Sequence, residues 1–348
     1  MRYHVQVPQL TYERLRMSKK RILTGYRPTG RLTLGHWFGN LLNMRELQDE
    51  YEAYYFVADW HALTSDWQDT HAIRQYTEEM VLDWVAAGID PSKATIYRQS
   101  DVQEVAELTM YLSMVAPMSW LERVPSYKEQ REQISEKDLS NVGFFLYPLM
   151  QAADIAIVRG AVVPVGEDQI PHLELTRELV RRFNGQYGDL LVEPQAIIAK
   201  QGARVPGLDG RKMSKSYGNA IYLSETEEET TKKVMSMVTD PARKLKTDPG
   251  NPDICPLHQI HKLIGDAADI AEWDRCCRVA ECGCVAHKRK LAEDLNAYLS
   301  DFRERRAELA KNPGYAWEVL ADGAARVRPA VSELMGDVRR AMHVDSGV

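Results

Sequence analysis

Arg21-Ile22-Leu23-Thr24-Gly25-Tyr26, the turn Pro28-Thr29-Gly30, and the run LTLGHWFGNLLNMRELQ over 32–48 decide the fold class. The first piece is short, apolar and β-prone, and the last has apolar residues at helical spacing. The alternation then repeats. Tyr54–Val57 reads as a buried strand, 70–87 as a helix ended by Gly88, Thr95–Arg98 as a strand and 103–115 as a helix. Further on, 142–157 reads as a helix, Val162–Val165 as a strand, and 167–184 as a helix ended by Asn184-Gly185. Strands alternating with helices predict an α/β fold, a doubly wound parallel sheet of Rossmann type, whose ligands gather at the carboxyl ends of the strands. Beyond Leu223 strand signals stop, and 227–239, 256–272, 286–311 and 314–343 read as helices. The expected organisation is an N-terminal extension (1–19), a nucleotide-binding α/β domain (20–225) and a mostly helical domain (226–348).

The 348 residues suffice for two domains with a buried core. No apolar stretch approaches the roughly 18 residues of a membrane helix, and residues 1–20 lack the apolar block of a secretory signal. A cytoplasmic enzyme with no membrane partner is expected. The net charge of −6 argues against nucleic acid on charge alone, although Arg243-Lys244-Leu245-Lys246 and Lys288-Arg289-Lys290 are local basic runs. All five cysteines fall late, at 255, 276, 277, 282 and 284, and a disulfide framework is not expected in such a chain.

Two segments carry nucleotide chemistry. Thr33-Leu34-Gly35-His36 opens a helix just after the first strand and turn, where helix N-termini favour phosphate. Gly35 would admit a purine close to the backbone, and Thr33 and His36 offer polar side chains. Lys212-Met213-Ser214-Lys215-Ser216 lies in a Gly/Asp-rich loop, and its two lysines can reach a triphosphate and stabilise the charge that develops as pyrophosphate leaves. Together the segments resemble the HIGH and KMSKS motifs of class I aminoacyl-tRNA synthetases, with Thr33 in place of the leading His, a variant familiar in the tryptophan and tyrosine branch. The resemblance implies that Lys212, Lys215, Thr33 and His36 serve catalysis, and that Gly35, Met213 and Ser214 also line an ATP site loaded with Mg2+.

Phe144 to Asp154 (FFLYPLMQAAD) resembles the substrate helix of tryptophanyl-tRNA synthetases. Tyr147, Gln151 and Asp154 share one helical face, and a buried carboxylate such as Asp154 needs a donor, which an indole N–H supplies. A nearby Arg or backbone amide is the alternative donor. In Val165-Gly166-Glu167-Asp168-Gln169 the family pattern implies ribose contacts for Gly166 and Asp168 and an ammonium contact for Gln169. His61 matches a family pocket position, and Arg27 offers a phosphate or carboxylate contact. The implied activity is tryptophan–tRNA ligase, with L-tryptophan and tRNA(Trp) as partners, in a homodimer. Tyrosyl-tRNA synthetase is the nearest rival, and a tryptophan-adenylating relative that charges no tRNA is another. Some family members hold a [4Fe–4S] cluster on four cysteines in the helical domain. The corresponding set here is Cys255, Cys277, Cys284 and His287, with imidazole at the fourth place, which also suits Zn2+ or no metal.

Overall fold

The computed structural model describes residues 19–124, 139–166, 169–198, 205–245 and 247–346. Its strands are β1 (Arg21–Tyr26), β2 (Glu52–Val57), β3 (Thr95–Arg98), β4 (Val162–Val165) and β5 (Gln195–Ile198). They form one parallel sheet in the order β3-β2-β1-β4-β5. The chain winds outward from β1 to β3, then crosses back to β4, so the order reverses between β1 and β4. A crevice opens at that reversal, beyond the carboxyl ends of the two strands. β2, EAYYFV, is buried over its last five residues because helices cover both faces of the sheet.

In the first half the helices are α1 (Leu42–Glu50), α2 (Asp59–Asp66), α3 (Ile73–Ala86), α4 (Glu104–Val115), α5 (Met118–Glu122), α6 (Val142–Ile157) and α7 (Ile170–Tyr187). A helical turn at Leu34–His36 and a π-turn at Trp37–Leu41 lead into α1. Asn141 caps α6, its Oδ1 accepting from the Phe144 amide at 2.8 Å. Asn184-Gly185 does not end α7. The helix runs on to Tyr187 and stops at Gly188, whose φ of 97° favours glycine. Asn184 instead turns its Oδ1 to the amides of Leu190 and Leu191, holding the loop that returns to β5. Strand β5, Gln-Ala-Ile-Ile, was not expected: its first half, Gln-Ala, lacks the continuous β-prone run that marks β3 and β4.

The second half contains α8 (Glu227–Ser236), α9 (Pro256–Ile264), α10 (Ala267–Arg278), α11 (Cys284–Leu309) and α12 (Tyr315–Ala341). The single helix expected over 256–272 is two, broken at Gly265-Asp266. Asp266 caps the second one, with Oδ1 accepting from the Ala268 amide at 2.8 Å. The last helix returns to the α/β half. α12 packs on β3, and its Val327, Val331, Leu334 and Val338 join Leu23, Tyr54 and Tyr97 in one apolar core. No helix among the described residues is long and apolar enough to cross a membrane.

Gly323 lets α12 lie directly on β3, for a Cβ there would overlap the Ile96 carbonyl oxygen. Gly323→Ala should therefore lower stability by about 2–4 kcal/mol despite the better helix propensity of alanine. Gly336→Ala, on the same helix with nothing nearer than Arg340 Nη1 at 3.5 Å, should be neutral or stabilising. Urea denaturation of the two variants checks the contrast.

Candidate active site

The crevice between β1 and β4 is a cleft of about 960 Å³. Its walls are the ends of β1 and β4, the start of α2, and the inward face of α6, which presents Tyr147, Gln151 and Asp154 together as their spacing requires. His61, Arg27, Gly166, Gln169 and Lys212 also line it. Asp168 lies outside the described residues.

Asp154, at 1% exposure, is the floor of the cleft. Burial pushes its pKa up, and the donors His61 and Gln99 oppose the rise. His61 Nε2 lies 2.8 Å from Oδ2, and Gln99 Nε2 donates to both carboxylate oxygens at 2.9 Å. The donors are thus a side-chain amide and an imidazole, where an Arg or a backbone amide had been the expected alternative to a ligand. Gln99 follows β3 directly and is fully buried. Its Oε1 accepts from the Trp60 and His61 amides at 3.1 and 3.3 Å, so one side chain caps α2 and holds the α6 carboxylate. Sequence reading missed it. The available signal was its position, a polar residue immediately after a buried strand in a sheet whose strand ends bear the ligand site. His172 on α7 was missed too. It is buried, lines the cleft, and its Nε2 lies 3.4 Å from the Tyr147 hydroxyl.

The two nucleotide segments are tied by backbone. The Leu34 amide donates to the Ile221 carbonyl at 3.0 Å and the Leu223 amide to the Leu32 carbonyl at 3.0 Å, an antiparallel bridge between the first segment and the chain just after the second. Thr33 does not face the cleft as expected. It is buried, and its hydroxyl and amide meet His36 Nδ1 at 2.8 and 3.1 Å. An amide can only donate, so Nδ1 is the acceptor and the imidazole proton sits on Nε2. Burial, reinforced by the charge of Lys215, pushes His36 down to about 3, so the ring is neutral. Thr33 is a positioning residue for a neutral donor. Gly35 faces Met213, whose Cβ lies 3.8 Å from where a Gly35 Cβ would be.

The loop of the second segment is organised by Asn219. Its Oδ1 accepts from the Ser214 amide at 2.8 Å, and its Nδ2 donates to Asp209 at 2.7 Å and to the Lys212 carbonyl at 3.2 Å. Gly207 is required beneath it, since a Cβ there would overlap the Asn219 amide group. Lys212 is exposed toward the cleft, while Lys215 crosses Gly30 and donates to its carbonyl at 3.2 Å. Burial and the neighbouring Arg27 lower Lys215 to about 8, against the pull of Asp66. Arg27 and Lys212 on the walls and a buried carboxylate on the floor suit a polyanion bound beside a ligand with an apolar body and an N–H, while Thr33, Gly35, His36 and Lys215 lie behind the residues that line the cleft.

A family model for class I tRNA synthetases of the tryptophan and tyrosine type matches residues 16–300. The tryptophan–tRNA ligase of Thermotoga maritima is 44% identical over 93% of this chain and 99% of its own length. That of Ralstonia nicotianae is 40% identical over 94% and 99%. The chain belongs to the tryptophan–tRNA ligases of class I. The tryptophanyl-tRNA synthetase of Campylobacter jejuni, solved with ADP and tryptophan, superposes with a TM-score of 0.85 at 35% identity, over 93% of this chain and 99% of that one. A tyrosyl-tRNA synthetase from Archaeoglobus fulgidus shares the fold, with a TM-score of 0.64 at 23% identity.

Cys255, Cys277, Cys284 and His287 border a second, small pocket that shares no residue with this cleft. Among the described residues no three His, Cys, Asp or Glu side chains stand as a metal-holding group. His287 Nε2 lies 2.9 Å from His261 Nδ1, and its ring stacks on Trp273 with centroids 4.5 Å apart. The Arg243 guanidinium, from the first local basic run, sits at the sulfurs of Cys277 and Cys284, 3.6 and 3.9 Å away. Cys276 and Cys282 form a disulfide, against the expectation of none. Their six-residue separation closes a tight turn between α10 and α11, which a cysteine count does not reveal. The second basic run is also engaged, with Lys290 Nζ 2.7 Å from Asp294.

Gln99→Glu would set a second carboxylate against Asp154. Like charges raise the pKa of such a pair, so its stability is present at low pH and lost as pH rises through the raised value. The variant's urea midpoint, relative to the parent chain, should fall between pH 5 and pH 8.

Proposed function

We propose that this cleft is where the chain, a tryptophan–tRNA ligase, forms tryptophanyl-adenylate from tryptophan and ATP before esterifying tRNA(Trp). The observation that carries the assignment of sites is the buried Asp154 carboxylate on the floor of a cleft whose wall includes Lys212 of the second nucleotide segment, with the first segment bridged by backbone to the chain just after it. A carboxylate offers about four lone-pair sites, so an indole N–H is accepted beside Gln99 and His61. Phenylalanine, with no N–H, would leave that site unpaired, and selectivity of this kind is strong. Tyr147 and Gln151 border the indole from the preceding turns of α6, Gln169 takes the ammonium, and Arg27 the carboxylate or α-phosphate. Gly166 and Asp168 hold the ribose. Gly35, Met213 and Ser214 border the adenine side of the ATP.

In the reaction a tryptophan carboxylate oxygen attacks the α-phosphorus, the bond to the bridging oxygen breaks, and pyrophosphate leaves. The ribose hydroxyl at the tRNA terminus then attacks the activated carbonyl and AMP departs. His36 donates through Nε2–H, and Lys212 and Lys215 take up the charge that grows on the leaving group. Mg2+ would enter on the nucleotide, since this ion is commonly held by substrate phosphates and water. Residues 226–348 are read as the part that meets the anticodon end, in a cytoplasmic enzyme.

We also infer a homodimer. Met110 and Met114, one turn apart on α4, and Met118, which opens α5, are 57%, 67% and 69% exposed, an apolar face that a second copy would cover. Met114→Lys followed by sedimentation tests that. For the cysteine pocket, three thiols and one imidazole suit Zn2+ better than a [4Fe–4S] cluster on four sulfurs, and His287 would first have to release His261. Iron and zinc analysis of anaerobically purified protein separates the two.

Asp154→Asn should weaken tryptophan binding about tenfold to a hundredfold with ATP binding kept, as calorimetry would register. Unchanged tryptophan affinity removes Asp154 from the pocket. Lys215→Ala should slow tryptophan-dependent pyrophosphate exchange far more than it weakens tryptophan binding. In the parent chain, exchange at low ATP should decline as pH rises through about 8, because a lowered lysine pKa means charge lost early, and Lys215→Arg should remove that decline. Exchange without any charged tRNA would favour the adenylating relative over the ligase.

A further inference from the structure

Next to the first nucleotide segment, the residues that meet the cleft belong to the π-turn that follows it. Gly39 and Asn40, consecutive in that turn, both line the cleft, and such turns are frequent at functional sites. The two residues before them face the other way. Trp37 and Phe38 are buried against α11: the Trp37 indole N–H donates to the Tyr298 hydroxyl at 3.0 Å, its ring meets Phe302 edge-on at 5.5 Å, and Phe38 stacks on Tyr298 at 5.9 Å. This packing fixes the rotation of the turn and holds its other side toward the cleft.

Asn40 is half-buried there, and its Nδ2 donates to the Thr24 hydroxyl on β1 at 3.3 Å. Among the described residues nothing donates to its Oδ1, and that atom is not sealed in the interior. The amide is thus oriented by the sheet and keeps a free acceptor at the cleft wall. Beside it Gly39 leaves open space, since a Cβ there would meet nothing within 4 Å.

We propose that Asn40 is a nucleotide-binding residue: its Oδ1 accepts from a ribose hydroxyl of ATP, and Gly39 leaves room for the sugar ring. An acceptor selects among the donors that the two substrates carry, which excludes the phosphates and the tryptophan carboxylate. The indole N–H is taken by Asp154 and the ammonium by Gln169, and the adenine side lies at Gly35, Met213 and Ser214. The ribose hydroxyls are left. Gly166, assigned to the same sugar, follows β4, which pairs with the β1 that carries Thr24. The inference rests on the reading of this cleft as the site of tryptophan activation.

The test is tryptophan-dependent pyrophosphate exchange at saturating tryptophan, with ATP, 2′-deoxyATP and 3′-deoxyATP as nucleotides and urea midpoints measured in parallel. One hydrogen bond between neutral groups corresponds to about threefold to tenfold. Asn40→Ala should lower kcat/KM for ATP by that factor and leave it within about twofold for the analogue that lacks the partnered hydroxyl. The tryptophan KM should stay within about twofold. If Asn40→Ala does not fold, Asn40→Ser, which keeps a polar group without its reach, is read in the same way. Equal losses for ATP and both analogues would mark Asn40 as merely structural and overturn the proposal, as would unchanged use of ATP. Gly39→Ala should keep or raise the urea midpoint, because alanine is the better helix former, and yet raise the ATP KM several-fold. An unchanged KM in that variant removes the sugar from this turn. If the parent chain supports no exchange at all, the reading of the cleft falls and this inference with it; if the parent exchanges normally and Asn40→Ala discriminates among the three nucleotides as the parent does, the Asn40 inference alone falls.

Discussion

A carboxylate taken out of water must find donors or give up its charge, and the cleft of this protein is arranged around one such group. Asp154 comes from α6, its donors from α2 and from the turn after β3, so the requirement to satisfy it draws three elements to one point. Gln99 is the economical part of this solution. Its two amide atoms face opposite ways, one capping the start of α2 and the other meeting Asp154. Neither end tolerates a change of charge, and the ligand floor inherits the rigidity of the sheet beneath it.

The nucleotide side depends on a different constraint. In the proposed reading two segments far apart in sequence face one triphosphate, and the antiparallel bridge between Leu32–Leu34 and Ile221–Leu223 fixes their separation with backbone bonds alone. Side-chain chemistry is then added on each side of the bridge. Thr33 settles the tautomer of His36, and Asn219 folds the loop that carries Lys212 and Lys215. Both devices replace freedom with a single geometry before any ligand arrives, which is how positioning contributes to rate.

Much of this was legible in the sequence where a local rule applied. The alternation of buried strands and helices specified the parallel sheet, and the spacing of Tyr147, Gln151 and Asp154 put them on one face of α6 as found. The family resemblance supplied the two nucleotide segments. What escaped were contacts made across the chain. Gln99 reads as an ordinary polar residue until Asp154 is brought beside it, and Thr33 reads as a phosphate ligand until its hydroxyl is seen turned to His36. The break at Gly265-Asp266 was visible as turn chemistry but lay inside a run of good helical spacing. The cysteine pocket marks the limit of spacing as a guide, since the four positions converge while Arg243 and His261 take up the directions a metal would need.

The return of α12 to β3 has a consequence for synthesis on the ribosome. β3 is an edge strand, and its outer neighbour is a helix that is made only from Tyr315 onward, long after the strand itself. While the chain emerges, the sheet can assemble around β1 and β2, but Tyr54, Tyr97 and Leu23 wait for Val327, Val331 and Leu334 to complete their shared core. During that interval an apolar surface next to an open strand edge is accessible to other nascent chains. A chain that stopped before Tyr315 would carry both sequence motifs with its sheet edge uncovered, a substrate for chaperones and proteases instead of a shortened enzyme.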